Sequence, residues 1–245
     1  MHQLRWIPSL IREYLVPLGC ALCGKTFFDG EDAWYGLCRD CRGSLAIAED
    51  QPRCSSCGRP LIAEIDRCLP CRSQEALYVD QVVSLFPYSG KYRKLLASYK
   101  FERYQRLGAF LAESLIAGLS RFTAPALQNP VLVPVPPRPG KIRKTGWDQI
   151  DYLGKLLAKA YGKTHPPYLR VHPCLKRLPS KSQKALNKED RRTNLLGRIR
   201  CTKPIPPEVI LFDDVITTGS TLNACAAALK AGGARQVYGV CLFYT

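Results

Sequence analysis

The sequence predicts an α/β protein, a mostly parallel sheet with helices on both faces, preceded by a small cysteine-rich module. Three observations predict it. From residue 76 onward, short apolar runs alternate with amphipathic stretches, the order that produces a parallel sheet. One run, "VILFDDVITTGST" at Val209–Thr221, passes from continuous apolar residues through two carboxylates into a hydroxyl-rich turn. Residues 1–75 hold eight of the twelve cysteines, all in C-x-x-C pairs.

The elements follow in order. Val79–Phe86 reads as a strand, and "KYRKLLASYKF" and "RLGAFLAESLIAGL" read as amphipathic helices. "PVLVPVP", Pro130–Pro136, is a strand with prolines at its exit, and "WDQIDYLGKLLAKAYG" is a further helix. Val209–Phe212 has the unbroken apolar pattern of a strand buried on both faces. Leu222–Ala231 is rich in Ala and Leu and stops at Gly232-Gly233, as a helix does. "QVYGVCLFY" is the last strand. The expected organisation is residues 1–75 as the cysteine module and 76–245 as the α/β domain.

The cysteine pairs are Cys20/Cys23, Cys38/Cys41, Cys54/Cys57 and Cys68/Cys71. A two-residue spacer lets both sulfurs of a pair reach one ion at about 2.3 Å. "CALCGK" and "CSSCGR" place glycine after the second cysteine, which frees backbone amides to turn toward the sulfurs. Sequential pairing of the four units gives two four-cysteine zinc ribbons; an interleaved, RING-like pairing is the alternative. No histidine follows His2 in this module, so thiolates alone are expected as ligands. A module this small relies on metal rather than apolar burial. Cys174, Cys201, Cys225 and Cys241 lack the spacing and read as core residues. "GCALCGKT", Gly19–Thr26, matches the phosphate-binding P-loop pattern, but two of its positions are knuckle cysteines and "FFDGEDAWYG" after it is not helical in pattern.

Charge is unevenly spread. The chain carries a net +16 over 245 residues. Residues 1–75 hold nine Lys/Arg against ten Asp/Glu, whereas 141–203 hold seventeen against four, a net of +13. The expected partner is polyanionic: a phosphorylated small molecule, nucleic acid, or both. No apolar run is long enough to cross a membrane, and Arg5, Arg12 and Glu13 interrupt the first apolar stretch. A cytoplasmic location is expected.

Phosphate chemistry explains the turn at Val209–Thr221. A loop leading from a buried strand into a helix aims several N–H groups and a dipole end at one point. Thr217, Thr218, Ser220 and Thr221 add hydroxyl donors, and Gly219 permits close approach. Asp213 and Asp214, expected at the strand end, suit the vicinal hydroxyls of a ribose. A sugar carrying a 5-phosphate beside a diol fits both halves.

"VILFDDVITTGST" resembles the phosphoribosyl pyrophosphate (PRPP) motif of type I phosphoribosyltransferases. With the cysteine module ahead of it, the chain resembles the ComF family, double zinc ribbons joined to a type I phosphoribosyltransferase-like domain. "VPVPPRP" resembles the family's pyrophosphate loop and carries over to Pro136, Pro137 and Arg138. "KTGWDQ" stands where the family has Arg-Gly-Phe-Asn-Gln, so Gly146, Trp147 and Gln149 align, while Thr145 replaces the arginine and Asp148 the asparagine. "KRLPSKSQKALNKEDRRTNL" resembles the mobile loop, with Arg177, Gln183, Arg191 and Asn194 in order and Lys181 and Lys184 as further loop cations.

The resemblance implies that Asp213 and Asp214 hold the ribose hydroxyls as the catalytic pair. It further implies that Thr217–Thr221 bind the 5-phosphate and that Mg²⁺ bridges hydroxyls and pyrophosphate. It implies a partner of single-stranded DNA and DNA-uptake proteins; the alternatives are a transferase acting on an unidentified nucleobase, and a PRPP-sensing scaffold. Lys/Arg between Lys141 and Lys203 are expected to contact DNA phosphates, with Trp147 and Tyr152 as stacking candidates.

Overall fold

The computed structural model describes residues 18–27, 30–47, 51–72, 78–122, 130–161, 168–179 and 197–245. Five parallel strands form the central sheet: β3 (Gln81–Pro87), β4 (Val131–Pro134), β5 (Arg170–Val171), β8 (Glu208–Ile216) and β9 (Gln236–Tyr244), in the order β3-β9-β8-β4-β5. Side chains alternate across it as the strand period requires. Ile210 and Phe212 of β8 join one core cluster, and Val209 and Leu211 join the other.

Helices α4 (Gly90–Lys100), α5 (Leu107–Leu119) and α7 (Gln149–Tyr161) supply the first cluster, while α8 (Ser220–Ala231) covers the opposite face. A two-stranded ribbon, β6 (Leu175–Arg177) with β7 (Ile199–Cys201), packs beside α8. The periodic elements lie where the sequence places them. The two short strands of this ribbon, and β5, carry no periodic signal in so few residues.

The cysteine module is two copies of one unit. In the first, β1 (Leu18–Gly19) pairs antiparallel with β2 (Thr26–Phe27), and α1 (Gly30–Tyr35) leads to Cys38 at the head of α2 (Arg39–Gly43). In the second, an Arg53–Pro60 bridge replaces the strand pair and Cys68 precedes α3 (Leu69–Arg72). Gly24 and Gly58 follow the first knuckle of each copy at φ +80° and +72°. Gly58 is further constrained, since a Cβ there would lie 2.5 Å from the Ser84 amide nitrogen.

The two copies dock on opposite faces of the sheet. Cys20, Leu37, Cys38 and Leu45 merge with the α4–α5–α7 core, whereas Cys54, Cys57, Leu61, Cys68 and Cys71 merge with the α8 core. The second copy also covers β3, an edge strand. The Val82 amide donates to the Ser55 carbonyl at 3.0 Å, the Ser84 hydroxyl to the Cys57 carbonyl at 3.1 Å, and Arg53 to the Ser84 carbonyl at 2.9 Å. The sheet therefore does not present that edge for pairing with another chain. Among the described residues no helix is long and apolar enough to cross a membrane.

Candidate functional site

The sulfurs of Cys20, Cys23, Cys38 and Cys41 lie within 4.8 Å of one another, and so do those of Cys54, Cys57, Cys68 and Cys71. The pairing is therefore sequential. Between knuckles, Cys23 Sγ is 3.7 Å from Cys38 Sγ, and Cys57 Sγ is 3.7 Å from Cys68 Sγ. A zinc tetrahedron with 2.3 Å bonds has an edge of about 3.8 Å. None of these cysteines forms a disulfide. Donor set and spacing both fit structural zinc. The P-loop-like "GCALCGKT" is spent on this site: Cys20 and Cys23 are in the sulfur cluster, and Thr26 enters β2 rather than a helix.

A cleft forms at the carboxyl edge of β4 and β8. The chain leaves β4 toward β5 on one side of the sheet and leaves β8 toward β9 on the other. That divergence is the switch point where parallel sheets open a crevice. The cleft, about 360 Å³, gathers Arg138 after β4, Arg177 at the end of β6, Asp213 and Asp214 of β8, and Thr221 at the start of α8. A smaller recess lined by Thr217, Thr218, Gly219, Ser220 and Thr221 adjoins it through Asp213 and Thr221. Gly219 caps α8 at φ +71°, and the Thr218 and Ser220 hydroxyls are 2.8 Å apart. Sequence-predicted residues from four separate segments thus meet in one place. Lys181, Gln183, Lys184, Arg191 and Asn194 lie outside the described residues.

The acidic pair departs from expectation. Strand β8 runs on to Ile216, so Asp213 and Asp214 lie within the strand rather than at its end. Consecutive strand residues point to opposite faces. Asp214, 5% exposed, turns toward α4 and α7, where its Oδ2 accepts from Lys100 Nζ at 2.8 Å and Gln149 Nε2 at 2.6 Å. Asp213 turns toward α8. Burial first, and then the like charge of Asp214, push its carboxyl well above the ordinary carboxylate value. Arg177 shows the cationic counterpart: burial, then the neighbouring Arg138 charge, lower its guanidinium from the ordinary value. Two guanidiniums held together against repulsion form a site that favours an anion.

Lys100, Lys141 and the Gln149 contacts escape sequence reasoning. Lys100 is the last residue of an amphipathic helix, and nothing local marks it out. Lys141 Nζ donates to Asp148 Oδ2 at 2.7 Å and also contacts Gln149 Oε1. Asp148 Oδ1 meanwhile accepts from the Ile150 and Asp151 amides, both at 3.0 Å, and so caps α7. Asp148 therefore caps α7, and Lys141 balances its charge. Trp147 is 8% exposed, edge-on to Tyr99 and tilted against Tyr152. It is a core residue and not a stacking platform.

Asp213 gives a pH prediction. The groups around it are Asp214, Lys100, Arg177, Cys225 and Cys241. Unfolded, it ionises near the ordinary 3.8; folded, it keeps its proton to a higher pH. The native state then binds the extra proton between those values, and stability falls as pH rises through that window. Asp213→Asn is expected to flatten this fall, read as denaturant midpoints from pH 4 to pH 8. An equally steep fall in the variant would assign it to another group.

Residues 11–73 match the double zinc ribbon domain family. The chain is 27% identical to competence protein F of Haemophilus influenzae, over 82% of this chain and 93% of the relative. It is 24% identical to competence protein ComFC of Streptococcus pneumoniae, over 89% and 96%. It is 27% identical to DNA utilization protein YhgH of Escherichia coli K12, over 94% and 98%. The chain resembles the ComF family over most of its length. Its relatives match across both the ribbons and the sheet, so the likeness is to the joined unit and not to the ribbons alone. In this chain the conspicuous sequence features, eight paired cysteines and the β8–α8 turn, mark two four-thiol clusters fit for zinc and one wall of the cleft. The other wall comes from α4, α6 (Lys141–Thr145) and the start of α7.

Proposed function

We propose that this chain binds PRPP with Mg²⁺ in the β4–β8 cleft and holds single-stranded DNA through its basic residues, in support of DNA uptake. The observation that carries the PRPP reading is the meeting of Arg138, Arg177, Asp213, Asp214 and the Thr217–Thr221 turn around one cleft at the sheet's switch point. The turn offers amides, hydroxyls and the dipole end of a twelve-residue helix to a 5-phosphate. The carboxylates suit ribose hydroxyls and a bound divalent cation. Arg138 and Arg177 suit the pyrophosphate, to which guanidinium bonds are charge-assisted. The DNA reading rests on the net charge of +16 and on relatives named for competence and DNA utilization. Zinc serves structure here, and the expected setting is the cytoplasm.

Isothermal titration with PRPP tests the cleft. Binding is expected only with Mg²⁺ present, and Arg138→Ala is expected to weaken it about tenfold or more, as the loss of a charge-assisted bond does. Binding that ignores Mg²⁺ or the Arg138 change would sink the assignment. Pyrophosphate release, measured with a panel of nucleobases, then separates holding PRPP from transferring its ribose.

A further inference from the structure

Between the first ribbon and the α5–α7 pair lies a groove of about 560 Å³, separate from the cleft. Trp34, Tyr152, Leu156 and Tyr161 line it, with Arg106 and Lys159 beside them. Trp34 is 63% exposed on α1. The groove and the cleft share α7: Gln149 at its start lines the cleft, and Tyr161 at its end lines the groove. The helix is thirteen residues long, so these two ends lie roughly 18 Å apart, while Tyr152 brings the near end of the groove within one turn of Gln149.

The groove is built rigidly. Gly108 of α5 lies so close to α7 that a Cβ there would sit 2.5 Å from Leu156 Cδ1. The ribbon wall is fixed by Arg106 donating to the Ala33 carbonyl at 2.9 Å, and by Tyr35 donating to Glu113 at 2.8 Å. The charged residues of its lining are Arg106, Lys159 and Glu113, a balance of one positive charge. Both oxygens of Glu113, an acid of the lining, accept from the Tyr35 hydroxyl, while Lys159 is exposed. A second copy of a +16 chain would be repelled, whereas a polyanion with flat apolar rings is attracted and stacked.

We infer that this groove is a base-stacking site for single-stranded DNA, in which Trp34 is the platform and Lys159 a phosphate contact. The inference rests on the DNA reading above and locates it on the ribbon side of the molecule; of the two aromatics the sequence pointed to, Tyr152 lines this groove and Trp147 does not.

The test uses the full chain and a fluorescein-labelled deoxyoligonucleotide of mixed sequence, together with the same strand carrying abasic positions. Trp34→Ala is expected to weaken binding of the normal strand about tenfold, while Trp34→Phe retains most of the affinity. The abasic strand should bind the wild type as weakly as the normal strand binds Trp34→Ala. The slope of log affinity on log salt should be unchanged in Trp34→Ala and smaller by about 0.7 in Lys159→Glu. Zinc content unchanged from the wild type shows that each variant is folded. Equal affinity of wild type and Trp34→Ala, or of normal and abasic strands, overturns the groove. If binding is instead lost only on charge reversal at Lys181 and Lys184, the DNA reading stands and the groove falls. No binding by the wild type removes both. A dimer dispersed by Trp34→Ala, without any change in DNA affinity, would assign the groove to self-association and likewise overturn the proposal.

Discussion

Cys57→Ser is expected to unfold the chain, while Cys23→Ser leaves a folded protein with one zinc ion of the expected two. The second sulfur cluster is buried throughout, with Cys54, Cys57, Cys68 and Cys71 all at 6% exposure or less. It is also continuous with the sheet, packed in one cluster with Val82, Val209, Leu211 and Cys241. The Cys57 carbonyl anchors Ser84 of the edge strand. Removing one thiolate therefore loosens a metal, a knuckle and a sheet edge together.

Structural zinc in small domains contributes on the order of 10 kcal/mol, comparable with the whole stability of a domain. A loss of even half that lowers the melting temperature by about 10–20 °C. The first cluster differs because Cys23 is exposed and Cys41 only half-buried. Chelator should strip it first, and the melt should fall in two steps. Elemental analysis, zinc release to a colorimetric chelator and thermal circular dichroism read these outcomes. Equal sensitivity of the two sites, or wild-type protein without zinc, would refute the account.

Asp214→Ala is expected to abolish PRPP binding and, in addition, to cost about 2–4 kcal/mol of stability. The substitution strands the Lys100 ammonium and the Gln149 amide, both aimed at Asp214 Oδ2. Removing one member of a buried pair costs about 3–5 kcal/mol. Lys100 is 28% exposed at its side chain, so water recovers part of that. Asp214→Asn should lose binding with a smaller penalty. Lys100→Met combined with Asp214→Asn should regain stability but not binding, because an apolar replacement no longer leaves a charge unpaired. Denaturant melts and PRPP titration of the same three variants separate the two effects. An unchanged midpoint in Asp214→Ala would show that the acids are as free of the core as a strand-end position implies.

That prediction reverses what the linear pattern implies, and the reason is specific. The run Val209–Phe212 announces a strand through apolar residues alone, so its reading stops at the first carboxylate. Strand β8 continues to Ile216 because backbone pairing with β9, Asp213 opposite Cys241 and Ile216 opposite Tyr244, does not depend on side-chain polarity. The partners that make a buried Asp214 tolerable come from residues 100 and 149, and no local pattern links them.

The sequence by itself determined the features whose physics is local. Two-residue cysteine spacing sets how many thiolates reach one ion, and alternating apolar runs and amphipathic helices set a parallel sheet. A hydroxyl-rich turn after a buried strand sets a row of donors at the start of a helix. The tertiary structure alone decided what depends on docking. It placed the ribbons on opposite faces of the sheet, one sealing the β3 edge, and merged their cysteines with the two cores. It removed Trp147 to the interior and left Trp34 exposed beside α7. It brought Lys100 and Gln149 to Asp214, and Lys141 to Asp148 and Gln149. Charge balance and burial are sums over all neighbours in space, and those neighbours exist only once the chain has folded.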